Sequence, residues 1–275
     1  MNEKKIIFRM RKAYKERLAE AVIAGALEEV DMFDKRGNMV LTPDLKVRHK
    51  ASGYEYTIDH IDGEGEDAVV YLRHPEEPRY DITTELLSKK NIEAHNDLLA
   101  KYVDDLNTVS AKLDTVSRDD ANLNHSEFRG LKIDETYNLN AAYLHALFFE
   151  NIGDPNSTIT MDSLTFLRIE RDFGSFDAWQ KDFIACALSA RNGWAVTVYN
   201  EFLGRYMNVV VDLHSLNVPF ASHPTIVLDC WEHSYYRDYL KDRKTYVYAM
   251  MKELDWNQIE SRVKKAEKIA KVLGR

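Results

Sequence analysis

Residues 225–240 read TIVLDCWEHSYYRDYL, and the reading of the whole chain turns on the short run from Asp229 to His233. These two residues stand four apart, just over one helical turn, so their side chains can point the same way. A carboxylate and an imidazole on one face can hold a transition metal. They can equally form an ordinary surface pair. Two donors do not make a centre, so the metal reading requires further ligands elsewhere in the chain.

Histidines are the natural place to look, and there are nine. His49, His60 and His74 fall at irregular spacing in a β-rich stretch and read as structural or surface groups. His125 lies in a polar, loop-like stretch and His223 stands beside Pro224, so both are expected to be exposed. His95, His145, His214 and His233 remain, each on an apolar or aromatic-rich segment. In NAAYLHALFFENIG, His145 shares a helical face with Ala142, Phe148 and Phe149 and so points inward. A lone inward histidine is more often a core group than a ligand, so spacing alone does not assign it.

The totals bound the problem. The chain has 275 residues, 45% hydrophobic and 30% charged, which suits one large or two modest globular domains. A net charge of −8 and a pI near 5.6 argue against a nucleic-acid partner. Cys186 and Cys230 are too few for a disulfide framework and lack zinc-site spacing. The opening MNEKKIIFRMRKAYKERLAEAV is too charged for a signal peptide, and there is no apolar run of eighteen residues. The expected setting is cytoplasmic, or within a virion or other large assembly, with no membrane partner.

Two regions differ in character. Over residues 3–30, Ile6, Met10, Tyr14, Leu18, Val22 and Ala26 recur every four positions among many basic residues. That pattern predicts an amphipathic helix, either solvated and packed or serving as a basic arm. KVRHK, YEYTIDHI and AVVYLRH then read as short strands separated by turns, a small SH3-like β-unit. Residues 1–82 are expected to form an interaction module that binds another protein, and residues 83–275 the main domain. Helices are predicted over 85–117, 135–151, 161–172 and 175–191. GWAVTVYNEFLGRYMNVVVDLH reads as two or three strands with a turn at Asn200–Gly204. Helices return in WEHSYYRDYLKD, RKTYVYAMMKEL and NQIESRVKKAEKIAKVL. Helices on either side of an antiparallel meander make an α+β class.

Residues 85–265, taken together, resemble a known family. LDCWEHSYY is similar to the D-x-W-E-H-A-Y-Y motif of the iron/manganese superoxide dismutases. NLNAAYLHALFFENIG, IERDFGSFDAWQKDFIACALSARNGWAVTVY and LDWNQIESRV resemble further segments of that family, in its order and at its separations. The resemblance implies a helical hairpin followed by helices around a short antiparallel sheet. It implies metal-ligand roles for His145, Asp229 and His233, with a fourth ligand early in the first long helix. There the chain reads SKKNIEAHNDLLAKYVDDLN against the family's S-K-x-T-L-E-x-H-H-x-K-H-H-x-x-Y-V-N-N. Counted forward from Ser88, His95 takes the ligand position; counted back from Tyr102, Ala94 does. One residue is therefore missing between about 98 and 101. On a regular helix this deletion turns the downstream residues by roughly 100°. A helix bulged in the family absorbs the loss by straightening, and then His95 and Tyr102 both keep their roles. The alternative is a three-ligand or empty site.

The resemblance carries further expectations. His214, fifteen before Asp229, takes the place of the group beside metal-bound solvent, with Phe220 and Pro224 fitting the same subgroup. Ala141 leaves room for it. Tyr102 takes the place of the gateway tyrosine, and Trp194 and Trp231 line the pocket, while Phe149 replaces a usual Trp. The family's gateway histidine, which meets a tyrosine across the dimer at the position of Tyr236, is replaced by Leu98 or Leu99. Glu232 takes the position that pairs across the dimer seam. The implied function is dismutation of superoxide to O2 and H2O2 by redox cycling of one Fe or Mn ion per chain, an antioxidant oxidoreductase acting as a homodimer or larger homo-oligomer. The second reading is a non-catalytic structural or assembly protein, such as a virion component, built on the same fold. Residues 1–82, the shortened first helix and the lost gateway histidine speak for it. Superoxide is an anion and the chain is acidic, so a local positive funnel is required; none stands out in the sequence.

Overall fold

The computed structural model describes residues 80, 82, 84–153 and 157–272, with the backbone of three strands at 46–48, 55–62 and 69–73. The helix expected over residues 3–30 lies outside the described residues. The three strands are β1 (Lys46–Arg48), β2 (Glu55–Asp62) and β3 (Val69–Arg73), where the sequence predicted them. They form an antiparallel meander in the order β1-β2-β3, with a register shift between Ile58 and His60.

Residues group into two compact units, Met1–Arg79 with Ala100–Glu135, and Tyr80–Leu99 with Thr136–Arg275. Two long helices, α1 (Lys89–Thr115) and α2 (Glu127–Asn151), contribute residues to both. In the first unit Val109, Leu113 and Leu131 form a small core with Val116 and Phe128 against it. This core, and Ser126, explain why α2 starts eight residues before the predicted 135. The Ser126 Oγ accepts from Arg129 N at 3.3 Å, an N-cap, and the added turns bury Leu131. Residues 89–115 are α-helical throughout, without a bulge.

The second unit builds around a sheet of β4 (Gly193–Asn200), β5 (Arg205–Asp212) and β6 (Ser222–Asp229), in the order β5-β4-β6 and antiparallel throughout. Around it stand α3 (Leu164–Phe173), α4 (Phe176–Ser189), α5 (Glu232–Tyr239), α6 (Arg243–Met250) and α7 (Trp256–Val272). Every residue of the central strand β4 is buried, so GWAVTVYN reads as a continuous run rather than an alternation. Gly193 opens β4 because a Cβ there would be driven into the Val211 carbonyl oxygen. The serines of DSLTF and GSFDA cap α3 and α4: Ser163 Oγ accepts from Phe166 N and Ser175 Oγ from Ala178 N.

β6 is a correction to the sequence reading, in which the meander does not extend into SHPTIVLD. Pro224 obscures it. A proline donates nothing to a ladder, and here it sits on an edge strand at the register shift opposite Thr197 and Val198. The same pairing corrects His223. His125 is exposed as expected, but His223 is half-buried and pairs with Glu201.

Candidate metal centre

The end of β6 and the start of α5 form one continuous device. Asp229 is the last residue of β6, opposite Trp194 of β4. Its Oδ1 accepts from Trp231 N at 2.8 Å, fixing the turn into α5. Its main-chain oxygen accepts from Tyr246 Oη at 2.8 Å and Ser234 Oγ at 3.2 Å. Oδ2 is left facing inward, and His233 comes round on the first turn of α5 to meet it at 3.1 Å.

Two more imidazoles close on the same oxygen from the helices. His95 Nε2, on α1, lies 3.0 Å from Asp229 Oδ2, and His145 Nε2, on α2, lies 3.6 Å away. The His145 and His233 Nε2 atoms are 3.4 Å apart. The ligand atoms of all four residues fall within 4.8 Å of one another. His95, His145 and Asp229 are buried, and only His233 keeps some exposure, 27% of its side chain. Of the two counts through the first helix, the one ending on His95 agrees with this geometry; Ala94 instead lines a cavity beside the cluster.

The donor set fits a first-row metal on its own chemistry. Bonds of about 2.1 Å at angles of 90–120° place ligand atoms roughly 3.0–3.6 Å apart, and four of the separations here, 3.0, 3.1, 3.4 and 3.6 Å, fall in that range. The tautomers agree. His145 Nδ1 donates to the Ala141 carbonyl at 2.7 Å, so its Nε2 carries a lone pair. That lone pair is buried and aimed at an anionic oxygen and another imidazole nitrogen, an arrangement a cation resolves. Burial lowers the pKa of His95, and lowers that of His145 well below the ordinary value, which keeps both neutral as ligation requires. Burial pushes the Asp229 carboxyl up, but His233 and His95 outweigh it and hold the group well below the usual carboxylate range.

An aromatic wall surrounds the cluster. Phe148 and Phe149 stand 5.3 and 4.9 Å from the His95 ring, and Trp194 meets His145 edge-on at 4.9 Å. His214 is fully buried, 5.8 Å from His145 between ring centroids, and stacked on Trp231 at 4.9 Å. Trp194 Nε1 donates to His214 Nδ1 at 3.0 Å, so the His214 proton belongs on Nε2. Burial pushes His214 down to about 4. The sequence reading missed Tyr137, which packs edge-on against His214 at 4.6 Å. Its signal was available, since Tyr137, Ala141 and His145 lie four apart on one face of α2. Tyr102 is half-buried on α1, among residues of the other compact unit. A cavity of about 410 Å³ reaches His95 and His233, lined also by Leu98, Glu232, Tyr236 and Arg237. Arg237 is a cation at that mouth that the sequence did not reveal.

Known proteins resemble this chain over much of its length. Residues 163–262 match the family model for the C-terminal domain of iron/manganese superoxide dismutases. The chain is 34% identical over 186 residues to superoxide dismutase [Mn] 2 of Halobacterium salinarum, covering 66% of this chain and 88% of that protein. It is 33% identical over 196 residues to superoxide dismutase [Fe] of Aquifex aeolicus, covering 68% and 89%. Over a shorter span of 114 residues it is 44% identical to superoxide dismutase [Mn] of Haloarcula hispanica, covering 42% of this chain and 78% of that protein.

Proposed function

The chain belongs to the iron/manganese superoxide dismutase family, and from that membership we propose that it converts superoxide to O2 and H2O2 at one Fe or Mn ion held by His95, His145, Asp229 and His233. The observation that carries the reading is the meeting of three imidazole nitrogens on one carboxylate oxygen, all four ligand atoms within 4.8 Å. Bound there, the ion supplies the one-electron couple needed to turn two superoxide anions and two protons into O2 and H2O2.

The protein's own residues do the rest. Imidazoles must be neutral to ligate, so three of them and one carboxylate would present a single negative charge to the ion. Phe148, Phe149, Trp194 and Trp231 keep bulk water out. His214, oriented by Trp194, keeps a proton on Nε2 near the ligands, where it would serve proton delivery once an ion is held there. Tyr102 is the second proton-handling group of this reading. Neither the site geometry nor the family membership favours the structural, non-catalytic alternative.

In this reading the protein acts as a homodimer or larger homo-oligomer, with exposed Glu232 at the seam. In the same reading, residues 1–82 serve as an interaction module that binds another protein. No helix among the described residues is long and apolar enough to cross a membrane. Metal analysis and a superoxide-decay assay on the purified protein test the core of it. Stoichiometric Fe or Mn with dismutase activity is the expected outcome, and a folded, metal-free, inactive protein contradicts it. Removing residues 1–82 should leave metal content unchanged and alter the assembly state.

A further inference from the structure

We propose that Asn91 is a positioning residue of the metal centre: its buried amide sets how His95 stands relative to Asp229 and His233. The inference rests on the reading of these residues as metal ligands.

Asn91 lies on the first turn of α1, four residues before His95 and on the same face. It is 1% exposed. Its Nδ2 donates to the Ser234 carbonyl at 2.9 Å and to Asp238 Oδ2 at 3.0 Å. Ser234 comes directly after His233, and its Oγ donates to the main-chain oxygens of Asp229 and Trp231 at 3.2 and 2.6 Å. Asp238 Oδ2 accepts a further bond from Ser88 N, at 2.8 Å, at the head of α1. One amide thus joins the helix that carries His95 to the segment that carries Asp229 and His233.

Chemistry dictates the residue type. Both partners are acceptors, so the group between them must be a double donor, which a primary amide is and a carboxylate or small hydroxyl is not. The Oδ1 of Asn91 has no hydrogen-bond partner among the described residues, so the donor side alone accounts for its placement.

His95 needs such help more than His145 does. The Nδ1 of His145 is held by the Ala141 carbonyl at 2.7 Å, whereas His95 Nδ1 has no hydrogen-bond partner among the described residues. The ring of His95 is located by packing against Phe148 and Phe149 and by the course of α1. A ligand set tolerates errors of only about 0.5 Å, so the anchor of that helix becomes part of the centre.

The test uses the full-length protein and two readouts besides activity: Mn²⁺ affinity by chelator competition, and the visible bands of the Co²⁺-substituted protein. Asn91→Ala should weaken Mn²⁺ binding about 10- to 100-fold and shift the Co²⁺ bands. Asp238→Asn keeps a neutral acceptor and should stay closer to wild type. Asn91→Asp sets carboxylate against carboxylate and should lose most; if it fails to fold, Asn91→Ala decides. Arg168→Ala, which breaks a bridge to Glu267, is the control for lost stability and should leave affinity and bands unchanged. Wild-type affinity and bands in Asn91→Ala, even with lower thermal stability, would overturn the inference and leave the metal centre standing. A wild-type protein that binds neither Mn²⁺ nor Fe²⁺ overturns the metal reading itself.

Discussion

The metal centre has two differently built halves. The β6–α5 junction supplies two ligands from five consecutive residues, and Asp229 Oδ1 and the Asp229 carbonyl are held by groups no more than 17 residues away. Trp231 N holds Asp229 Oδ1, while Ser234 and Tyr246 hold the Asp229 carbonyl. The α1 half supplies one ligand from a long regular helix, placed by partners 143 and 147 residues away in sequence. A junction of the first kind carries its geometry in its own sequence. A helix of the second kind is only as accurate as its remote anchors.

Substitutions test this contrast from both sides. The largest effect is expected from Asp229→Ala, which removes the anion shared by three imidazoles. Metal content should fall to background, and activity by more than the roughly 100-fold typical of losing a residue that merely supports a ligand. Metal retained in that variant would mean the junction does not organise the centre. Trp194→Phe comes next. It keeps the wall but removes the indole donor to His214 Nδ1, so activity should drop about 10- to 100-fold with metal content intact; simultaneous metal loss would instead make Trp194 a structural part of the ligand set.

A smaller effect concerns pH. Burial lowers His214 to about 4, against about 6.5 in an unfolded chain. Between those values the unfolded state binds a proton that the folded state does not. The contribution is therefore full above about pH 6.5 and is lost as pH falls toward 4. In the metal-free protein His214→Gln should remove that slope, on the order of 2 kcal/mol by pH 5, as read by denaturant melts across the range. The smallest effect belongs to the over-determined half. Tyr246→Phe deletes one buried hydrogen bond to the Asp229 carbonyl and should cost about 1 kcal/mol in a denaturant melt. Metal affinity should hold, because Ser234 still caps the same oxygen. A large affinity loss there would erase the difference between the halves.

The same contrast explains what could be read in advance. The Asp229–His233 spacing and the inward face of His145 are local patterns, visible in the chain, whereas the place of His214 came only from the resemblance to the family. Helix positions came from periodicity to within a few residues, except the start of α2. β6 was missed because Pro224 interrupts it and its pairing depends on β4. The choice between His95 and Ala94 could not be made by counting, since it depends on whether α1 runs straight. Asn91 was invisible as a functional residue. In sequence it is one polar residue on a charged helix, and its meaning comes from Ser234 and Asp238.

If α1 completes the centre by bringing His95 to the junction, the metal itself must show it. Anomalous diffraction at the Fe and Mn absorption edges, from crystals of the purified protein, is the decisive measurement. One peak per chain is expected, about 2.0–2.2 Å from the Nε2 atoms of His95, His145 and His233 and from Asp229 Oδ2. A peak bound without His95, or no peak in the folded protein, would contradict that role for α1.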